Sequence, residues 1–395
     1  MIVAGCAIGL LEQPNSALAQ AGYYVTPSLS ISEAYDDNVF FTSSNRQDDF
    51  ISRFMPGLKA GYQSEPFTLT GNYSFRSAIY AEHPLLDSPL ESQSGSLGLV
   101  YRPTEVLTLG FDGAYSRTSI PSELNQPNAA FPFIPVQATT GILTTRVNST
   151  FYSFMPSIGY SFDALTRGKG TYSYGVFEGG GLTTTTQDVT LGLDHDVTPR
   201  DTGTLKSYYR HFGTTASGPF ASSAPASSLD SYAVTAGWKH RFTERWDASV
   251  EAGPRLTEGA GASGTVDVET NATITWHFAT GTATLGYART QLSAAGVGGA
   301  LSSDSVFATL LVEPIRSLRL SLSPRWVQNT TEGGGASTTG TFTIYTVDAT
   351  ATYQLTRWLS ARLNYFYASE QIGKLNIPHN LVTIGLDFVY PERVY

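Results

Sequence analysis

The segment Leu381–Tyr390, L-V-T-I-G-L-D-F-V-Y, carries apolar side chains at every second position: Val382, Ile384, Leu386, Phe388 and Tyr390. Thr383, Gly385, Asp387 and Val389 lie between them. A period of two over this length describes a β-strand with one apolar face and one mostly polar face. The pattern recurs along the chain. Phe50–Tyr62 sets Phe54, Pro56, Leu58, Ala60 and Tyr62 on one face. Val106–Ser116 sets Leu107, Leu109, Phe111 and Tyr115 against Thr108, Asp112 and Ser116. Tyr232–Phe242 sets Val234, Ala236 and Trp238 against Thr235, Lys239 and Arg241. Val266–Phe278, Leu318–Trp326 and Leu359–Tyr367 alternate in the same way.

These faces need an apolar neighbour, and the composition limits what it can be. Only 14% of the 395 residues are charged, where about 25% is usual for a soluble domain. Hydrophobic residues make up 41%. Beyond the first dozen residues no run approaches the ~18–20 apolar residues of a spanning helix. A lipid-facing band on alternate strand positions accounts for both facts. The 22 Tyr, 21 Phe and 38 Gly suit strands and turns. A net charge of −9 argues against nucleic acid as a partner.

Turns and loops alternate along the chain. Tight turns fall near Ser64-Glu65-Pro66, Arg102-Pro103-Thr104-Glu105, Asp163-Ala164-Leu165, Thr198-Pro199-Arg200-Asp201, Thr243-Glu244-Arg245, Ala279-Thr280-Gly281, Glu313-Pro314-Ile315-Arg316 and Leu355-Thr356-Arg357. Longer polar segments lie between them, including Asp36 to Asp49, Ser119–Arg146, Thr214–Ser228, Gly259–Gly264, Ala294–Ala300 and Glu332–Gly340. Short connections on one side and long ones on the other are the signature of an antiparallel up-and-down transmembrane β-barrel, here of about eighteen strands. Aromatics cluster towards strand ends, at Phe75, Tyr101, Tyr115, Phe162, Phe242, Phe278, Trp326, Tyr353 and Trp358, as interfacial girdles do. A β-propeller would place four strands in each repeat of this length, and only two long ones are present. A β-sandwich would need a continuous apolar core, which these strands do not supply.

The polar faces then name a lumen. Its expected cations are Arg53, Lys59, Arg76, Lys206, Arg210, Lys239, Arg241, Arg319, Arg325 and Arg362. Its expected anions are Asp112, Asp194, Asp247, Glu251, Asp267, Glu269, Asp348 and Asp387. A barrel of this strand number is wide enough for an aqueous channel, and charged rings at close quarters set selectivity. For any one of these residues, simple pairing across the wall is the competing expectation. The loop Ser119–Arg146, with Pro121, Pro127, Pro132 and Pro135, is a candidate to fold inward and narrow the pore; an external loop is the plainer expectation.

Enzyme chemistry finds little support. His83, His195, His211, His240, His277 and His379 are scattered, with no spacing of a catalytic set. Cys6 alone rules out a disulfide framework, an all-Cys metal site and covalent haem. No catalytic, cofactor or metal site is expected. Ala17-Leu18-Ala19 reads as a cleavage site, so residues 1–19 are expected to be a signal peptide, without the usual basic start, and residues 20–395 a single barrel domain.

Thr383, Gly385, Phe388 and Tyr390 resemble the carboxy-terminal assembly signal of bacterial outer-membrane barrels, which implies recruitment of the barrel-assembly machinery. Five residues follow Tyr390, where that signal usually ends on its aromatic. Asp36-Asp37-Asn38-Val39-Phe40 after the first strand is a second cue, as are the Pro-centred strands Phe54-Met55-Pro56-Gly57-Leu58 and Phe154-Met155-Pro156-Ser157-Ile158. With these the chain is similar to outer-membrane β-barrel porins found beside exopolysaccharide export genes. The resemblance runs from about Tyr24 to Tyr390 and implies a Gram-negative outer-membrane location, lipid contact and no catalytic residues. The expected function is passive passage of small hydrophilic solutes. The alternatives are a barrel component of an exopolysaccharide-secretion or porin–cytochrome complex, and a non-conducting structural or adhesive barrel. The solute and the oligomeric state are not legible.

Overall fold

The computed structural model describes residues 21–119, 146, 148–216, 227–259, 262–293, 300–332, 340–390 and 393–394. The expected signal peptide, most of the Ser119–Arg146 segment and the centres of several other loops lie outside the described residues.

Eighteen long strands follow one another with no α-helix among the described residues: β1 (Gly22–Asp36), β2 (Asp49–Gln63), β3 (Phe67–Tyr80), β4 (Ser88–Tyr101), β5 (Leu107–Thr118) and β6 (Ser149–Ser161) come first. Then come β7 (Thr166–Gly179), β8 (Leu182–Thr198), β9 (Asp201–Ala216), β10 (Ser227–Arg241), β11 (Trp246–Gly259) and β12 (Ala262–Phe278). The last are β13 (Gly281–Ser293), β14 (Ala300–Ile315), β15 (Leu318–Glu332), β16 (Thr341–Gln354), β17 (Leu359–Ile372) and β18 (Leu375–Val389), with a two-residue β19 (Arg393–Val394). Each long strand pairs antiparallel with the next. The sheet closes where β18 meets β1, from Ser28 opposite Val389 to Asp36 opposite Leu381. Closure removes the edges that an open sheet would expose.

The outer face is apolar and open. Ile31, Phe54, Leu97, Ile158, Leu191, Val250, Leu285, Leu363 and Ile384 are all exposed. Ring pairs band the short-turn end: Tyr23 with Tyr62, Trp246 with Trp276 (5.6 Å apart, 10° between planes) and Trp358 with Phe388. Near the long-loop end Tyr35 meets Phe50, and Tyr209 meets Tyr232. Two aromatic belts around an exposed apolar band are what a bilayer demands of a spanning barrel.

The connections are less regular than the sequence suggests. At one end every turn is two to five residues long, with Thr198–Asp201 and Ile315–Leu318 among the shortest. The other end carries the long connections, but also three hairpins that join Gly179 to Leu182, Gly259 to Ala262 and Ile372 to Leu375. Gly180 and Gly181 stand at φ values of 61° and 78°, which glycine supplies without a steric penalty. Gly259–Gly264, expected as a long loop, is instead a tight connection: Gly259 pairs with Ala262 across a register shift. A run of small residues signals a turn or a loop equally well.

Gly385 of the assembly-signal stretch lies on the inner face beside the closing seam. A Cβ there would stand 2.9 Å from Ser32 Cβ and 3.0 Å from Ile31 O. The position therefore favours glycine for packing reasons alone. Phe388 and Tyr390 fall on the other face, at the short-turn belt beside Trp358.

Candidate functional site

The strand registers carry the inward set around the barrel. Asn72 lies opposite Lys59 on one side and Ser96 on the other. Gly98 then faces Asp112, and Asp112 faces Met155. Further round, Arg210 stands between Asp188 and Ser231, and Glu251 lies between Gly237 and Asn271. Arg325 lies opposite Thr346, Arg362 opposite Gly385, and Ser360 opposite Asp387. Every residue named above as a lumenal cation or anion falls on this face. Side chains alternate across a strand, so the apolar outer band fixes where the polar set must point.

The structure brings some of these residues together. Arg210, 3% exposed, donates from Nε to Asp188 (2.7 Å) and from Nη1 to Glu269 (2.6 Å). Arg255, 1% exposed, donates to the other Glu269 oxygen (3.0 Å), to Asp267 (3.0 Å) and to Glu332 (2.7 Å). Lys206 pairs with Glu251, which also accepts from Tyr208 and Thr235. Arg76 pairs with Glu91 at 2.8 Å, and Arg362 pairs with Asp387 at 3.1 Å. Asp348 accepts from Asn364 (3.1 Å) and Thr350 (3.2 Å). Near the turns Thr204 donates to Asp194 (2.8 Å) and His277 meets Asp247 (2.8 Å). Arg319 reaches the exposed Glu313 across a turn. Lys59 lies over the Tyr24 ring, 5.3 Å from its centre.

Others stay apart. Arg53, Asp112, Lys239, Arg241 and Arg325 show no side-chain hydrogen bond or ion pair among the described residues. Lys239 and Arg241 are exposed beside the short turn that precedes β11. Pairing therefore holds for much of the set, and the unpaired residues are spread along the wall: Arg53 lies towards the long loops, Asp112 and Arg325 in the middle of their strands, and Lys239 and Arg241 by a short turn.

Sequence reasoning passed over several members. Arg255 and Asp188 hold the centre of the buried network. Their alternation was readable: Glu251, Gly253, Arg255 and Thr257 share one face against Val250, Ala252, Pro254 and Leu256. Glu91 was not readable, because a register shift between Arg76 and Ala78 displaces its strand. The first long connection was also missed as part of the lumen. Its Val39 and Phe41 pack into a cluster with inward side chains of the barrel wall. By strand number and by its two-faced wall, the architecture is that of a porin-sized barrel.

No family model matches the chain, and no curated protein does. Among solved structures the chain is similar to Pseudomonas aeruginosa OpdO, with a TM-score of 0.49, 11% identity and coverage of 93% of this chain and 97% of that one. It is similar to Acinetobacter baumannii OccAB4, with a TM-score of 0.49, 10% identity and coverage of 96% and 100%. It is also similar to the siderophore receptor PiuA from Acinetobacter baumannii, with a TM-score of 0.49, 10% identity and coverage of 95% and 82%. At these identities the likenesses are of outline and assign no ligand.

Proposed function

We propose that this chain is an outer-membrane channel that passes small hydrophilic solutes passively through its lumen. One observation carries this: a closed wall of eighteen long strands has an exposed apolar outer face and an inner face that bears all the expected charges. A barrel of that width encloses water unless something fills it. The inner face offers paired charges and hydroxyls such as Ser74 to Ser94 (2.8 Å) and Asn72 to Ser96 (3.0 Å), which suit transit better than tight capture. Cations and carboxylates interleave, so selectivity is set by geometry and by the few unpaired groups. A sheath for nascent polysaccharide or for a second chain fits less well, because the first long connection packs onto the inner wall.

The test is single-channel conductance of the purified, refolded protein in a planar bilayer. Stable steps are expected, and the reversal potential under a salt gradient gives the ion preference. A correctly folded barrel that never conducts would overturn the proposal.

A further inference from the structure

The motif Asp36-Asp37-Asn38-Val39-Phe40 leads out of the end of β1, and its Asp36, Asn38 and Val39 are buried. Val39 is 0% exposed and Phe41 is 2% exposed. They pack against Ala34 of β1, Ile51 of β2, Ala78 and Tyr80 of β3, Phe366 and Ala368 of β17, and Ile377 and Leu381 of β18. Each of those wall residues points inward. Five adjacent strands therefore share one apolar cluster with a loop that lies inside the barrel. At the usual strand spacing this covers about 20 Å of the inner wall.

The loop is held by bonds of several kinds. Asn38, wholly buried, donates from Nδ2 to Thr42 O and to Pro378 O, both at 2.9 Å, and accepts from Thr42 N at 2.9 Å. Asp36 accepts from Asn38 N and faces His379 Nε2, each at 2.9 Å. Asp37 accepts from Asn380 N at 2.6 Å and from its Nδ2 at 2.8 Å. Val39 N donates to Gln47 O at 2.9 Å, so the loop closes on itself. Arg146, from a different loop, donates to Val39 O and to the Tyr80 hydroxyl at 2.7 Å each. His83 joins a third loop to this one through Asp49 and Gln47, at 2.8 Å each. Phe41 stands at a φ of 53°. A bulky residue keeps that conformation only where its surroundings fix it.

We infer that residues 37–48 form the size-selecting constriction of the channel, as a fixed inward strap at the long-loop end. This rests on the channel function proposed above. The strap is apolar where it meets the wall and polar along its own backbone bonds. Its charges are largely tied locally, Arg46 to Asp37 at 3.2 Å and Asp48 to the Tyr35 hydroxyl at 3.1 Å, so it acts first by narrowing the bore. Asn38 is its positioning residue, because one side chain ties the carbonyl and N–H of Thr42 in the loop to the Pro378 carbonyl of β18. Val39 and Phe41 are its anchors.

Two variants test this. Val39→Asp with Phe41→Asp puts two carboxylates into the apolar cluster and releases the strap. Replacing residues 40–46 by Gly-Gly shortens it, using the Val39–Gln47 contact as the joint. Both are compared with wild type by conductance and by swelling of liposomes in neutral sugars of increasing size, after heat-modifiable gel mobility confirms a folded barrel. We expect conductance to rise about twofold or more and the size limit to move upward, because the pore radius at the narrowest point governs both. Conducting variants with unchanged conductance and an unchanged size limit would overturn the strap alone. A silent wild type with conducting variants would overturn the size-selecting role, since the loop would then close the bore rather than set its limit. Silence from all three folded barrels would overturn the channel and the strap together.

Discussion

The two ends of the lumen are built differently from the same alternating strands. At the long-loop end inward side chains are buried. Ile51, Ala78, Phe366 and Leu381 pack under the first loop, Val327, Phe342 and Ile344 form a second cluster, and Arg210 and Arg255 sit in a closed lattice of carboxylates. At the short-turn end Lys59, Lys239, Arg241 and Arg319 are exposed and only partly paired. Period two decides which face a residue takes. It does not decide what covers that face. For the first cluster the covering is a loop, whose position depends on contacts between residues far apart in sequence, such as Asn38 with Pro378; for the others it is side chains from several strands.

Stability should separate the ends most strongly. Arg210→Ala leaves Asp188 and half of Glu269 without a cation in a buried setting, and losing one partner of such a pair costs about 3–5 kcal/mol. Lys239→Ala removes an exposed charge with no bonded partner, and should change stability by less than about 0.5 kcal/mol. Urea unfolding in detergent, followed by tryptophan fluorescence, compares the two. Equal losses would mean that the ends are equally packed.

A smaller effect lies in the turns. Asp163 accepts the backbone N–H groups of Leu165 (2.8 Å) and Thr166 (2.7 Å). These bonds hold its carboxyl below the ordinary carboxylate value. A depressed folded value means that the stabilisation is present above the unfolded value and is lost as pH falls through the folded one. Asp163→Ala should therefore be slightly less stable than wild type at neutral pH. The difference should shrink as pH is lowered below about 4. A difference that grows on acidification would contradict that account of the turn.

Much of the barrel was legible because its rule is local. β2 extends the expected Phe50–Tyr62 by one residue at each end, and β12 contains the whole of the expected Val266–Phe278. The outward faces of β5, β10 and β12 follow directly from Leu109, Val234 and Ile274. The site was legible only in part. Arg210, Glu251 and Glu269 follow from alternation, and Arg255 would have too. Their partners do not, since Arg255 meets Glu332 four strands away. The strap was hidden because Asp-Asp-Asn reads as a solvated turn, and nothing local says that Val39 and Phe41 will meet Phe366 and Ile377. The three tight hairpins at the long-loop end were hidden by glycine, which permits a turn without announcing its length.

The most direct test of the difference between the ends uses neutral polymers of graded size, added to one side of an oriented bilayer at a time. A polymer that enters a mouth lowers conductance; one that is excluded does not. The barrel described here should admit polymers from the short-turn mouth that are refused at the long-loop mouth. Equal size limits from both sides would contradict a constriction at one end, and with it the claim that the first loop shapes the passage.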